Sequence, residues 1–169
     1  MAESGFLAPD ERLELIEGEL FTVTPASSDH AGTVKHLDRE FQRLYAAQSV
    51  ISVQDPLQLS EKTLVEPDVA LLTYRDDLYR SSYPTGDDVL LIVEVSKTTL
   101  AYDQEIKLPL YAKAKVAEVW IVDLVLERVE VYREPDEDFY RVLTFVTKGE
   151  QLTPLAFPES SVVALRTDL

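Results

Sequence analysis

The sequence predicts an α+β, or mixed α/β, fold in which helices pack on a central mixed sheet. Three observations favour this class. Strand-like segments dominate the chain, and the most apolar of them covers residues 89–95. Two other segments repeat apolar residues at helical spacing. Several predicted strands follow one another without an intervening helix, which argues against a regular doubly wound fold.

The first half of the chain is predicted to contain a hairpin, one helix and short strands. Residues 12–16 and 19–23 form two strands around a turn at residues 17–18. A helix then begins near Ser27, which can cap it together with the two residues that follow. This helix is predicted to end near Gln48. Its apolar positions at helical spacing are Val34, Leu37, Phe41, Leu44 and Tyr45.

The strands that follow are predicted at residues 50–53, 57–59, 69–73 and 89–95, then, after a helix at 102–115, at 116–122. The run at 89–95 is nearly continuous in apolar residues, which is typical of a strand buried on both faces. Two more strands, at 128–132 and 140–146, flank the acidic loop 134–138 as a hairpin. No repeat or linker interrupts the chain, so residues 1–169 are predicted to form a single domain.

The amino-acid composition excludes several kinds of functional site. The chain of 169 residues contains no cysteine, which excludes disulfides, thiolate zinc sites and cysteine nucleophiles. Its net charge is −15, so a broad basic face for nucleic acid is not expected. Either the protein avoids polyanions, or it approaches them through a small site in which a divalent metal ion supplies the positive charge.

Targeting signals are not recognisable in the sequence. The N-terminal residues lack the basic region and long apolar core of a signal peptide. The longest aliphatic run, residues 89–93, is far short of the ~20 residues that span a bilayer. The sequence therefore predicts a soluble, cytoplasmic protein with no membrane partner.

Glu94 interrupts the most apolar predicted strand. A buried carboxylate without a partner is costly or takes up a proton, so a cation, a lysine or an opening to solvent must compensate it. Because side chains alternate along a strand, Glu94 and Ser96 share a face with Leu90 and Ile92. The alternative is that Glu94 marks the end of a strand that reaches the surface.

Asp68 offers a second carboxylate. It follows Pro67, which cannot donate to a sheet and so marks a strand start. If this strand and that of Glu94 are neighbours, the two carboxylates converge at one end of the sheet. A hard divalent cation would relieve their repulsion. Taken alone, Asp68 is more typical of a turn or a cap.

Lys107 lies on the predicted helix that follows the Glu94 strand. Asp103 stands four residues before it and Tyr111 four residues after it, so the three residues form one helical stripe. An exposed Asp–Lys pair of this kind contributes only a few tenths of a kcal/mol and is the commoner situation. Lys107 is a candidate site residue because its helix directly follows the strand of Glu94, one of the two carboxylates.

These residues together resemble a known nuclease pattern. The matching pieces are Pro67-Asp68, Glu94-Val95-Ser96, Asp103, Lys107, Tyr111 and the segment 118–123, preceded by the segment 14–20 and His30. In this order they resemble the PD-(D/E)XK nuclease superfamily and, within it, the restriction endonuclease family called Uma2. The resemblance extends from about Leu13 to Asp123 and implies a restriction-endonuclease-like fold.

The sequence departs from the superfamily pattern in three places. The lysine usually stands two residues after the glutamate, where this chain has Ser96. The resemblance implies that Lys107 reaches into the same place from the following helix. Pro109 lies inside that helix and can kink it. Lys115 occupies a position where the family often has a helix-ending glycine.

The resemblance implies a metal-dependent endonuclease acting on DNA. Asp68, Glu94 and the backbone carbonyl of Val95 would hold Mg²⁺, for which Mn²⁺ can substitute. Lys107 would be the catalytic lysine. Candidates for a further ligand or contact are Glu14, Glu17 and His30, with accessory positions at Ser96, Asp103 and Tyr111.

Two other functions are compatible with the sequence. A catalytically degenerate nuclease fold could serve as an acidic protein-interaction module, and a different metal-dependent enzyme could use the same carboxylates. The position of the Lys107 ammonium separates the nuclease from the module.

With so few cations, DNA binding is expected to be weak, metal-dependent and strongly salt-sensitive, or to need a separate basic partner. A homodimer is expected only by analogy, since cutting two strands needs two sites.

Overall fold

The computed structural model describes residues 12–168, and strands dominate them as predicted. The strands are β1 (Leu13–Ile16), β2 (Glu19–Thr22), β3 (Ser49–Ser52), β4 (Leu57–Ser60), β5 (Thr63–Val65), β6 (Val69–Thr73), β7 (Val89–Ser96), β8 (Glu118–Asp123), β9 (Arg128–Asp136) and β10 (Phe139–Thr147). The helices are α1 (Ser28–Tyr45), α2 (Leu100–Tyr102) and α3 (Leu108–Lys113). A π-helical turn at Asp103–Lys107 joins α2 to α3, and a 3₁₀ turn at Gly86–Asp88 precedes β7.

The strands form two sheets. The larger sheet has the order β10-β9-β8-β7-β6-β3, and the smaller one has the order β2-β1-β5-β4. Within the larger sheet β7 and β8 run parallel, whereas its other paired strands run antiparallel. The single parallel pair makes this a mixed sheet, and the α+β prediction is confirmed.

The two faces of the larger sheet are covered differently. On one face, α1 and the segment 152–164 pack on alternate side chains of the central strands, among them Val93 and Trp120. On the other face, α3 and the smaller sheet pack on Ile92 and Ile121. The central strand β7 is therefore buried on both sides, as its apolar run predicts. Glu94 shares the second face with Ile92.

Capping explains where α1 begins. The side chain of Ser27 accepts a hydrogen bond from the backbone N–H of His30, which satisfies one of the free donors of the first turn. The helix ends at Tyr45, three residues before the predicted end at Gln48.

The hairpin of β9 and β10 forms as predicted, but its strands extend into the acidic loop and leave only residues 137–138 as the turn. Strand β5 was not predicted, because three residues are too few to show an alternating pattern.

Pro109 is accommodated by the π-helical turn that precedes it. It stands in the first turn of α3, where its missing N–H leaves few hydrogen bonds unmade. The widened turn at Asp103–Lys107 is the irregularity that the predicted kink would cause. The segment 100–113 consequently stays helical, with Asp103, Lys107 and Tyr111 all buried against the sheet.

Lys115 ends this helical segment in the left-handed region of the backbone, with φ at +59°. A side chain is disfavoured there, and glycine is the residue that most often terminates a helix in this conformation. We therefore expect Lys115→Gly to raise the free energy of unfolding by about 1 kcal/mol, measured by urea denaturation. Lys113→Gly, which places glycine within α3, should instead lower the free energy of unfolding by a similar amount.

No helix among residues 12–168 is long and apolar enough to cross a membrane.

Candidate active site

The carboxylates of Asp68 and Glu94 meet at one end of the larger sheet. Strands β6 and β7 are antiparallel neighbours, and the pairing of Val69 with Val93 places Asp68 beside Glu94. The backbone N–H of Val95 donates to Oδ2 of Asp68 at 2.9 Å. The N–H of Asp68 lies 3.4 Å from Oε2 of Glu94. The register of β6 and β7 thus brings the two carboxylates together.

Lys107 is buried beside this pair. Its Nζ lies 2.6 Å from Oε1 of Glu94 and 3.0 Å from Oε1 of Glu14, and only 3% of the residue is exposed. The surface Asp–Lys pair that its spacing also allowed is therefore excluded. The helical stripe faces inward, and the Lys107 ammonium does not point to bulk solvent.

The other two residues of the stripe hold polar partners in place. The Tyr111 hydroxyl donates to Oε1 of Glu94, so this buried carboxylate oxygen is shared between a phenol and an ammonium. Asp103 accepts a hydrogen bond from the Ser96 hydroxyl and another, at 3.0 Å, from Oγ1 of Thr99. Ser96 thus faces Asp103, and Tyr111 positions the carboxylate of Glu94.

His30 and Gln54 complete the surroundings of Asp68. Nε2 of His30 lies 3.0 Å from Oδ2 of Asp68, and Nε2 of Gln54 donates to Oδ1 at 3.1 Å. The Nδ1 atom of His30 is buried and has no hydrogen-bond partner among the described residues. His30 is therefore in contact with the site, and is more than an ordinary first-turn residue of α1.

Glu14 and Glu17 stand in different surroundings. Glu14 is buried, with Oε1 accepting from the N–H of Glu66 at 2.8 Å and Oε2 accepting from the Tyr102 hydroxyl at 2.8 Å. The side chain of Glu17 is 68% exposed and lies 3.6 Å from Lys113, outside the cavity described below. Glu14 is thus brought to the site, and Glu17 is not.

These groups line the floor of a cavity of about 430 Å³. The cavity is also lined by the loop 23–27, which connects β2 to α1, and by the loop 97–99, which connects β7 to α2. Asp68 and Glu94 are recessed, with 8% and 3% of each residue exposed. The arrangement is a carboxylate and lysine cluster at the bottom of a cleft that opens to solvent.

Sequence reasoning missed four residues of this region. Tyr102 directly precedes Asp103, and Lys97 directly follows Ser96, so both lie next to motif positions. Arg12 and Gln54 approach from segments whose contact with the site depends on the folded chain. No local pattern identifies those last two residues.

Burial dominates the protonation of Glu94. Burial is the largest of the causes that together raise the pKa of Glu94 to about 8; the charges of Asp103 and Asp68 act in the same direction, and Lys107 opposes them. For Lys107, burial lowers the pKa, but Glu94 and the other surrounding acidic groups outweigh it and place the pKa well above its usual value. One ammonium therefore serves several carboxylates, and the cluster has an excess of negative charge.

Asp68 behaves differently from Glu94. Burial opposes its ionisation, but the hydrogen bond and charge of His30, the Val95 amide and Lys107 hold the pKa of Asp68 below its usual value. Asp68 is therefore ionised at neutral pH, next to a glutamate that binds a proton readily. Neighbouring acids whose environments push their pKa values apart are typical of functional sites.

The donor set of carboxylate and carbonyl oxygens fits a hard divalent cation such as Mg²⁺ or Mn²⁺ better than a soft metal ion. Among residues 12–168, no three His, Asp or Glu side chains stand ready as a metal-binding cluster. Mg²⁺ does not require one, since it commonly takes one or two carboxylates and keeps several waters. Asp68 and Glu94 provide such a pair in a cluster whose negative charge exceeds its positive charge.

The comparison with known families agrees with this geometry. The sequence profile of the Uma2 family, described as "Putative restriction endonuclease", matches residues 3–166. The chain belongs to this family. Its resemblance to a restriction endonuclease family, inferred from the motif residues, is confirmed over almost the whole chain.

A solved structure supports the fold of this Uma2 member. It is the crystal structure of a putative nuclease belonging to DUF820 from Anabaena variabilis ATCC 29413. The two share 13% sequence identity, with a TM-score of 0.69 over 90% of this chain and 87% of the other. At this identity the likeness establishes the restriction-endonuclease-like fold. Comparison with curated proteins gives no match.

Proposed function

We propose that this Uma2 protein is a metal-dependent endonuclease that hydrolyses phosphodiester bonds in DNA, with Asp68, Glu94 and Lys107 as its catalytic residues. The observation that carries the proposal is the buried Lys107 ammonium, 2.6 Å from Glu94, on the floor of an open cleft beside Asp68. A desolvated lysine in contact with paired carboxylates has a high energetic cost, and a functional requirement explains why the cost is tolerated.

The metal ligands proposed are Asp68, Glu94 and the backbone carbonyl of Val95, with Mg²⁺ as the ion and Mn²⁺ as a substitute. When bound, such an ion lowers the pKa of a coordinated water and polarises the phosphoryl oxygens. Glu94 would have to be ionised to hold the ion, so binding would require the loss of the proton that burial favours on this carboxyl. His30 and Gln54 keep the carboxylate of Asp68 oriented.

Lys107 is proposed to stabilise the negative charge that develops on the phosphoryl group. An ammonium has three donors, and the carboxylates of Glu94 and Glu14 occupy two of them. The third is available to a phosphoryl oxygen or to the attacking water. Tyr111 and Glu14 are positioning residues, since each contacts Glu94 or Lys107.

The alternative functions are less well supported. An acidic interaction module has no need to bury Lys107 among carboxylates, and the open cleft suits an extended substrate better than a closed pocket would. A separate basic partner, a homodimer, a single-domain organisation and a cytoplasmic location stay predictions.

Cleavage of labelled single- and double-stranded DNA with Mg²⁺ or Mn²⁺ tests the proposal. Wild-type protein should cut, and Asp68→Ala and Glu94→Ala should each lower the rate by about 10³-fold or more, because metal stabilisation of the transition state amounts to several kcal/mol. Asp87→Ala, which removes an exposed carboxylate outside the cleft, is the matched control. Activity that survives in both site variants would refute the assignment.

A further inference from the structure

The cleft has few positive charges with which to hold a polyanion. Among the residues that line it, the lysines and arginines are Arg12, Lys97 and Lys107. Lys107 is buried and committed to Glu94 and Glu14. Only Arg12 and Lys97 reach solvent, with 36% and 43% of their side chains exposed. Two exposed cations can neutralise about two phosphates.

Among residues 12–168, the lysines and arginines other than these three do not line the cleft. The chain has 16 lysines and arginines, and all of them lie within residues 12–168, which the structure describes. The net charge of −15 also opposes a polyanion that spreads over the surface. A protein that binds duplex DNA through 6–10 phosphate contacts, a common number, would need about as many suitably placed cations.

The shape of the cleft imposes a second limit. Asp68 and Glu94 are buried residues that line a cavity of about 430 Å³ together with the loops 23–27 and 97–99. This volume is that of a small-molecule pocket. A nucleotide taken out of its stack can enter such a pocket, whereas a phosphate within a regular duplex stays on the outside of a wide cylinder. The small number of cations and the shape of the cavity thus both favour a single strand over a regular duplex.

Resting on the proposed nuclease function, we propose that the cleft takes single-stranded DNA, with Lys97 and Arg12 binding the phosphates on either side of the one that is cut. Each cation already has a carboxylate partner. Arg12 donates to Oε2 of Glu66, at 2.9 Å from Nε and 2.8 Å from its terminal nitrogen, and Lys97 is paired with Asp29 in the first turn of α1. The strand must displace these carboxylates from their cations.

The Lys97–Asp29 pair is the easier of the two to displace. The Asp29 side chain is 63% exposed, and ion pairs between exposed groups contribute little. Removing the charge of Asp29 should therefore free Lys97 and tighten binding of the strand. Asp29 lies in the first turn of α1, after the Ser27 cap, so Asp29→Asn should also slightly lower the stability of the helix start, by too little to unfold α1.

Equilibrium binding of a fluorescent oligothymidylate of about 12 nucleotides, followed by anisotropy in Ca²⁺ as NaCl is varied, tests this proposal. For two phosphate contacts on a single strand, log K should fall with log salt with a slope of about −1.4. This dependence is shallower than the strong salt sensitivity that the net charge alone suggests. Lys97→Gln should halve the slope to about −0.7.

Two variants outside the cleft are matched controls. Lys113 and Glu17 also form an exposed lysine–carboxylate pair, but neither lines the cavity. Lys113→Gln should leave the slope unchanged, and Glu17→Gln should leave affinity unchanged. Asp29→Asn should tighten binding by roughly twofold to fivefold, and the gain should vanish in the Asp29→Asn/Lys97→Gln double variant.

The strand preference is measured separately, by cutting rates in Mn²⁺ on the single strand and on the duplex of the same sequence. Faster cleavage of the single strand supports the proposal. Equal or faster cleavage of the duplex, or an unchanged salt slope in Lys97→Gln, overturns it while leaving the nuclease function intact. The predicted slopes without any cleavage would support strand binding by Lys97 and refute the nuclease function instead.

Discussion

Replacing Lys107 with methionine is expected to lower the rate of DNA cleavage by about 10²- to 10³-fold, the usual effect of removing one preorganised donor to a developing charge. Methionine keeps most of the length and apolar volume of the lysine stem, so packing against Tyr111 should change little. The measurement is single-turnover cleavage in Mn²⁺. The KM should change less than the rate, because the proposed role of Lys107 is to stabilise charge that develops in the transition state.

The same substitution also affects stability, which must be measured alongside. Glu94 and Glu14 lose their shared cation, and removing one partner of a buried pair typically lowers stability by 3–5 kcal/mol. Lys107→Arg keeps the charge and is the second variant if the first does not fold. Lys113→Met is the surface control. A folded Lys107→Met variant with wild-type activity would contradict the assigned role.

The free energy of unfolding is expected to fall as pH rises from about 5 to about 8, and Glu94→Gln should remove this fall. The folded-state pKa of Glu94 is raised to about 8 by burial, whereas the unfolded chain releases the proton near its ordinary pKa of about 4.3. Between these values the folded state holds a proton that the unfolded state has lost. Stability therefore decreases with pH, by at most about 1.4 kcal/mol per pH unit.

Urea denaturation of the two proteins at several pH values measures this difference. Near pH 4.5 the ionisation of Glu94 should cause little difference between the free energies of unfolding of the two proteins. Above pH 8 the Glu94→Gln variant should be the more stable. Asp68, whose pKa is lowered, acts in the opposite sense and only at acidic pH, where its contribution is lost as pH falls. A wild-type curve that runs parallel to that of Glu94→Gln across this range would show that Glu94 is ionised throughout.

Local pattern was sufficient to predict most of the fold. The apolar run of β7 reflects burial on both faces of the sheet, and the helical spacing in α1 reflects burial of one helix face, so both patterns are visible in the sequence. The order of strands in the sheet was not predictable, because pairing depends on contacts between distant segments. The sequence did not predict strand β5 or the π-helical turn at Asp103–Lys107, because both elements are too short to show a periodic pattern of apolar residues.

The candidate site could be predicted only in part. Glu94 stands out because its charge interrupts an apolar run, whereas Asp68 and Lys107 are singled out by their positions relative to it, after Pro67 and on the following helix. The sequence does not distinguish His30, Glu14 and Glu17 as candidates, and three-dimensional contacts separate them. His30 contacts Asp68 and Glu14 contacts Lys107, whereas Glu17 pairs with Lys113 at the surface. Gln54 approaches Asp68 from the loop after β3, and no sequence signal marks it.

The central claim is that Asp68 and Glu94 bind a divalent metal ion, and a titration with Mn²⁺ followed by electron paramagnetic resonance tests it most directly. Wild-type protein and the exposed-site control Asp87→Asn should each bind one ion per chain with the same affinity. We expect Asp68→Asn to weaken that binding by at least roughly tenfold. Unchanged Mn²⁺ affinity in Asp68→Asn would contradict the claim.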